Sequence, residues 1–284
     1  MTTSLIANDV ISYLEHVFSH PSISTKIRCY RGQADSSWQL KPSILRNLIS
    51  NAENSIFSEL MLEAPSEFIG DKLMLDKLVR AQHYGLPTRL LDVSLNPLVG
   101  LFFACEESEH QDKDGIVKIL DFMQDRVKLA DSDTISLISN LARLNDSEKE
   151  KIRTFLKRND YKDKDVIKQF RELEEMRRLT QFVRIEKPYF LDIAQPLDLK
   201  KYYFVHPFKN NRRVVAQSGA FIVAGLLQFR SPEASRGIEI KNIKIPSDAK
   251  SKILKELDSL NINSRTMFPE VEFTSKYIKK KWIK

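Results

Sequence analysis

Three stretches of the chain gather polar side chains beside turn residues in otherwise apolar surroundings. The first is Tyr30-Arg31-Gly32-Gln33. An arginine next to a glycine at a strand end presents a planar fork that holds a phosphate or carboxylate through two hydrogen bonds. An internal Asp or Glu would occupy that fork equally well. The second stretch is the densest, AQHYGLPTRLLDVSLNPLVGLFFAC over residues 81–105. Gln82, His83, Thr88, Arg89, Asp92, Ser94 and Asn96 sit among leucines there, with Gly85 and Pro87 shaping the turn. Each polar group buried without a partner costs about 1–3 kcal/mol, so this many imply a shared hydrogen-bond network or a ligand. A buried ion pair between Arg89 and Asp92 would meet part of that demand. In the third stretch, 211–219, the small-residue turn after Gln217 lets its amide point into a pocket or serve the core.

Composition narrows the chemistry. Eight glycines in 284 residues are about 3%, against the ~7% of average usage. They assemble neither GxGxxG nor GxxxxGK[ST], which excludes a dinucleotide site of the doubly wound type and a P-loop. Cys29 and Cys105 lie in apolar surroundings and form no CxxC pair, so reduced, buried thiols in a cytoplasmic protein are expected. His16 and His20 are spaced i, i+4, but no glutamate-bearing HExxH and no third ligand accompany them, and no metal site is expected. The net charge of +7 is partly concentrated in the tail KYIKKKWIK. That run is expected as a solvated helix end, with contact to a nucleic acid backbone or an anionic membrane surface as the alternative. The longest apolar run, 98–105, is too short to span a bilayer.

The elements that must position these residues are short. Asn8 or Asp9 caps a first helix with Val10, Ile11, Leu14 and Phe18 on one face. Residues 26–30 form a strand, and RGQADSSW a turn centred on Gly32. Two helices over 52–84 break near Pro65 and Gly70. Thr88–Leu91 forms a strand, and Pro97 opens an apolar helix behind Asn96. GIVKILDF is a strand. Residues 131–180, without Gly or Pro, form a polar helical insertion or cap. The texture then turns to β in YFLDI, KYYFVHPF, GAFIVAG and GIEIKNIKI, before a helix over 253–260. The whole reads as one α+β domain over 1–284, its short strands from both ends of the chain building one mixed sheet system.

YRGQ, QHYGLPTRLLDVSLNPLVGLFFA, RRVVAQSGAFI and SRTMFPEVEFTSKYIKKKW together resemble the FRG domain family. Their order also resembles that of the arginine-type ADP-ribosyltransferases, more distantly. That resemblance implies an NAD-binding cleft in an ADP-ribosyltransferase-like sheet, in a toxin or phage-defence effector. Arg31 would grip the pyrophosphate or ribose of NAD, and Gln217 would stand near the usual catalytic glutamate. A carboxylate would then come from Asp92, Glu239 or Glu270, with Glu270 in the FPEVE motif the foremost. Tyr30, Gln33, His83, Thr88, Arg89, Asp92, Ser94 and Asn96 would line the ligand site. The alternative implied is a nucleotide- or nucleic-acid-binding module without catalysis, and any macromolecular acceptor is left open.

Overall fold

The structure is a computed structural model that describes residues 5–21, 24–46, 48–157, 161, 163–226 and 231–282. Its strands are β1 (Leu5–Ile6), β2 (Lys26–Gln33), β3 (Leu90–Ser94), β4 (Gly115–Met123), β5 (Val127–Leu129), β6 (Tyr202–His206), β7 (Gly219–Ala224) and β8 (Ile238–Ile245). They form one mixed sheet in the order β1-β8-β4-β2-β3-β7-β6-β5. The β1/β8 and β5/β6 pairs are parallel and the others antiparallel. Strands from both ends of the chain thus share one sheet.

The sheet has a weak line. Eight registered pairs join β2 to β4, and five join β3 to β7. Between β2 and β3 the described residues supply one pair, Tyr30 with Ser94. The sheet folds over along this line. Phe122 on β4 and Phe204 on β6 are four strand spacings apart in the sheet order, about 19 Å if the sheet were flat. Their ring centroids are 5.8 Å apart. Cys29, Leu120 and Phe122 of one half-sheet therefore pack against Leu91, Val93, Tyr202, Phe204 and Ile222 of the other.

Helices cover the outer faces. In chain order they are α1 (Val10–Phe18), α2 (Ala52–Glu63), α3 (Met74–His83), α4 (Pro97–Cys105), α5 (Asp133–Asn140), α6 (Asp146–Leu156), α7 (Lys164–Glu172), α8 (Glu174–Glu186), α9 (Arg212–Ala216), α10 (Lys250–Ser259), α11 (Ser264–Met267) and α12 (Val271–Trp282). Tyr13, Phe102 and Ile253 from α1, α4 and α10 pack on Tyr30, Val117, Ile119 and Ile243. On the other half-sheet, Leu78, Ile135, Ile152 and Leu179 from α3, α5, α6 and α8 bury Tyr203, Val205, Phe221 and Val223. The helical stretch expected over 131–180 thus contributes an apolar layer of the core, and its last helix runs on to Glu186. The basic tail forms the end of α12, with Ile283 and Lys284 outside the described residues.

Three local expectations change. Gly32 is not the centre of a turn: it lies within β2, in register with Val117. A Cβ there would stand 2.0 Å from the carbonyl oxygen of Gly100, so glycine is needed where α4 crosses the strand. In α1, Asp9 does cap the helix, but Val10, Tyr13 and Val17 form its buried face, and Ile11 and Phe18 point to solvent. YFLDI forms no strand; Phe190 alone of its apolar residues is buried. Cys29 and Cys105 are buried and unpaired, and burial pushes the Cys105 thiol up to about 12.

The start of β3 is fixed by a buried charge cluster. Glu53 of α2 accepts from Arg89 at 2.7 and 2.6 Å and from Lys149 of α6 at 2.8 Å. Arg89 also donates to the carbonyl of Ala224, at the end of β7. The partner of Arg89 is therefore Glu53, and the ion pair with Asp92 suggested by the sequence does not form. Burial works to raise the Glu53 carboxyl, but Arg89 and Lys149 overcome it and hold the group below its usual range. The stabilisation is thus present above the unfolded-state value of about 4.3 and is lost as pH falls through the lower folded-state value. Glu53→Gln leaves two buried cations short of an anion. Denaturant titration should show a loss of about 3–5 kcal/mol; a loss well under that range would mean the cluster is not what fixes β3.

Candidate functional site

Beyond the Tyr30–Ser94 pair, β2 and β3 part around a cleft of about 250 Å³. Side chains alternate along β2, so Arg31 and Gln33 share the inner face that Cys29 presents to the seam between half-sheets. The face turns from apolar to polar where the strand leaves the seam. Arg31 Nη1 donates to the carbonyl of Asp92 on β3 at 2.6 Å. It bridges the two strands where their own pairing has ended. Its Nε is buried and has no partner. Burial disfavours the charged guanidinium, while the carboxylates of Asp92 and Glu107 favour it.

The opposite wall is a relay of oriented polar groups. The Thr88 hydroxyl accepts from the amide of Leu90 at 3.1 Å and donates to Gln82 Oε1. This fixes the Gln82 amide, whose Nε2 donates to Asp92 Oδ2 at 2.5 Å. Next to Gln82, His83 ends α3. Its Nδ1 lies 2.9 Å from Nδ2 of Asn211, the N-cap of α9. Asn211 Oδ1 is taken by the amides of Arg213 and Val214, so Nδ2 is the donor and His83 Nδ1 the acceptor. The neutral imidazole then carries its proton on Nε2. Burial pushes His83 below its usual value, against the pull of Asp92.

The third wall comes from α9 and the turn into β7. Ser94 donates to the carbonyl of Gln217 at 2.7 Å and accepts from the amide of Asn96 at 2.9 Å. Gln217 Nε2 donates to the carbonyl of Met267 at 3.0 Å, which leaves Oε1 for the cleft. Arg213 lies over Phe268 at 4.8 Å and also lines the cleft.

The three sequence motifs therefore meet: Tyr30, Arg31, Gln33, His83, Asp92, Ser94 and Gln217 all line one cleft. Five other residues singled out in the sequence lie elsewhere. Thr88 acts behind Gln82, and Asn96 caps α4 through Leu98. Arg89 lines a separate cavity with Glu53 and Lys149. Glu270 stands outside the lining, 3.4 Å from Arg213. Glu239, weighed as a carboxylate donor, is on β8, paired with Lys26. Lining residues that the sequence reading passed over are Trp38, Phe103, Glu107, Arg213 and Phe268. Glu107 is the second residue after the apolar helix, in ACEES, and Trp38 ends RGQADSSW; both were visible only as the margins of motifs.

The family model of the FRG domain matches residues 26–113. The chain carries an FRG domain. Comparison with curated proteins and with solved structures gave no match. The FRG domain match spans β2, α2, α3, β3 and α4, and so includes Arg31, Gln33, His83, Asp92 and Glu107. Gln217, Arg213 and Phe268 reach the cleft from beyond it. Among the described residues no helix is long and apolar enough to cross a membrane.

Because His83 is held below its unfolded-state value of about 6.5, the unfolded chain takes up its proton first as pH falls, and stability at this site drops below that pH. Asn211→Asp keeps an N-cap acceptor but puts a carboxylate against Nδ1. NMR titration should place His83 below about 6.5 in the wild type and above it in the variant. An unchanged midpoint would show that Asn211 does not set the imidazole's protonation.

Proposed function

We propose that the cleft binds NAD and promotes cleavage of its nicotinamide–ribose bond, with ADP-ribose passing to water or to a macromolecular nucleophile. The observation that carries this reading is the convergence of Arg31, His83 and Gln217 on one cleft that also holds the carboxylates Asp92 and Glu107. The guanidinium groups of Arg31 and Arg213, both in the lining, suit the two charges of a pyrophosphate. A cleft of about 250 Å³ is smaller than the ~300–1,000 Å³ of pockets that enclose a drug-sized ligand. It accommodates one moiety of a dinucleotide, with the remainder over the rim.

In the reaction the carbon–nitrogen bond breaks and its electron pair leaves with the nicotinamide ring nitrogen. The ribose carbon becomes cationic, and Asp92, oriented by Gln82, or Glu107 offers the opposing charge. The attacking nucleophile supplies the new bond and gives up its proton. Gln217 contributes a carbonyl dipole rather than a charge and cannot serve as a base. That amide favours a second reading, a nucleotide-binding module without turnover.

Purified protein mixed with NAD should release nicotinamide, or label a macromolecule when cell lysate is added. Arg31→Lys keeps the charge but loses the fork, and should cut release at least about tenfold with little change in melting temperature. Absence of both release and labelling, or full activity in Arg31→Lys, overturns the catalytic reading. NAD binding without release leaves the binding module.

A further inference from the structure

Gln33 carries an unmet demand at both ends of its amide. It is the last residue of β2, only 2% exposed, and lines the cleft. Neither Nε2 nor Oε1 has a partner. Around it, Asp92 is held by Gln82, His83 by Asn211, Ser94 by Gln217 and Asn96, and Gln217 by Met267, while Arg31 Nε is also left open. A buried carboxamide with both ends open is unfavourable unless something fills the site. Alternation places it on the same face as Arg31, about 6.6 Å further along the strand. The Trp38 ring lines the same cleft and offers a flat surface.

We infer that Gln33 determines ligand specificity by reading, through its paired donor and acceptor, a planar ring that presents an adjacent donor and acceptor on one edge. Arg31 takes the anionic group of the same molecule. Both rings of NAD carry such an edge: the carboxamide of nicotinamide, and the amino group and neighbouring ring nitrogen of adenine. The inference rests on the cleft being a nucleotide site, as proposed above, and not on bond cleavage. Gln33 is a binding group here and takes no part in proton transfer.

The test is equilibrium binding of four nucleotides by calorimetry. Nicotinamide mononucleotide is compared with nicotinic acid mononucleotide, whose carboxylate offers acceptors alone. AMP is compared with purine riboside monophosphate, which lacks the amino group. The wild type should prefer the first member of one pair by about 10- to 100-fold, the range of a good bidentate contact, and the pair concerned identifies the ring. Gln33→Leu and Gln33→Met should abolish that preference. Because the wild-type amide is unpaired, their melting temperatures should equal or exceed that of the wild type.

Binding without preference in either pair, or preference retained in both variants, overturns the role of Gln33 and leaves the cleft as a nucleotide site. A marked fall in melting temperature in both variants overturns it too, since the amide would then be structural. Failure of all four nucleotides to bind overturns this inference and the nucleotide site together.

Discussion

A sheet of eight strands held across its middle by one registered pair, Tyr30 with Ser94, has no ladder there to keep it flat. What joins its halves is the apolar seam, where Phe122 meets Phe204 and Cys29 faces the same cluster as Leu91 and Val93. Each half is otherwise committed to its own neighbours: β2 to β4 and α4, β3 to β7. The Glu53 cluster ties the start of β3 to β7 and α2, away from β2. The strands therefore diverge on that side, and the divergence is the cleft. Arg31 spans it at its narrow end, using a side chain where a strand pair would use backbone.

That arrangement makes the cleft rigid where it is charged. One end of the Arg31 fork is fixed on Asp92, so less side-chain freedom remains to be lost when a ligand meets the other end. On the far wall, Thr88 sets Gln82, Gln82 sets Asp92, and the cap of α9 sets the tautomer of His83. None of these residues needs to touch a ligand directly to decide where the ones that do are aimed.

Much of this was legible because alternation and caps are local. Asn96-Pro97 opens α4, Asp9 caps α1, and the strands at 115–123 and 238–245 follow their apolar runs. Gly32 was misread because a glycine among polar residues signals a turn as readily as a close helix crossing, and the crossing depends on Gly100, 68 positions away. Arg89 was matched to Asp92 as a buried pair that would meet part of the polar demand of its stretch. In a strand, positions three apart face opposite sides, and the true partner, Glu53, comes from a helix. The convergence of Arg31, His83 and Gln217 was foreseen through the family resemblance. Glu107, Trp38 and Phe268 were missed because their types and spacing carry no pattern of their own.

The FRG domain match ends at residue 113, two positions before β4 begins. Along its whole length β2 pairs with β4, and β3 pairs with β7, both outside the match. The matched span thus holds the two central strands of the sheet but neither of the strands that complete their ladders. Its polar motifs are also only part of the cleft. The proton position of His83 is set by Asn211, Ser94 is held by the carbonyl of Gln217, and Arg213 closes the far side. The most recognisable segment of the chain is therefore the part whose geometry depends most on the rest. Residues that follow β4 complete the cleft whose first wall β2 supplies.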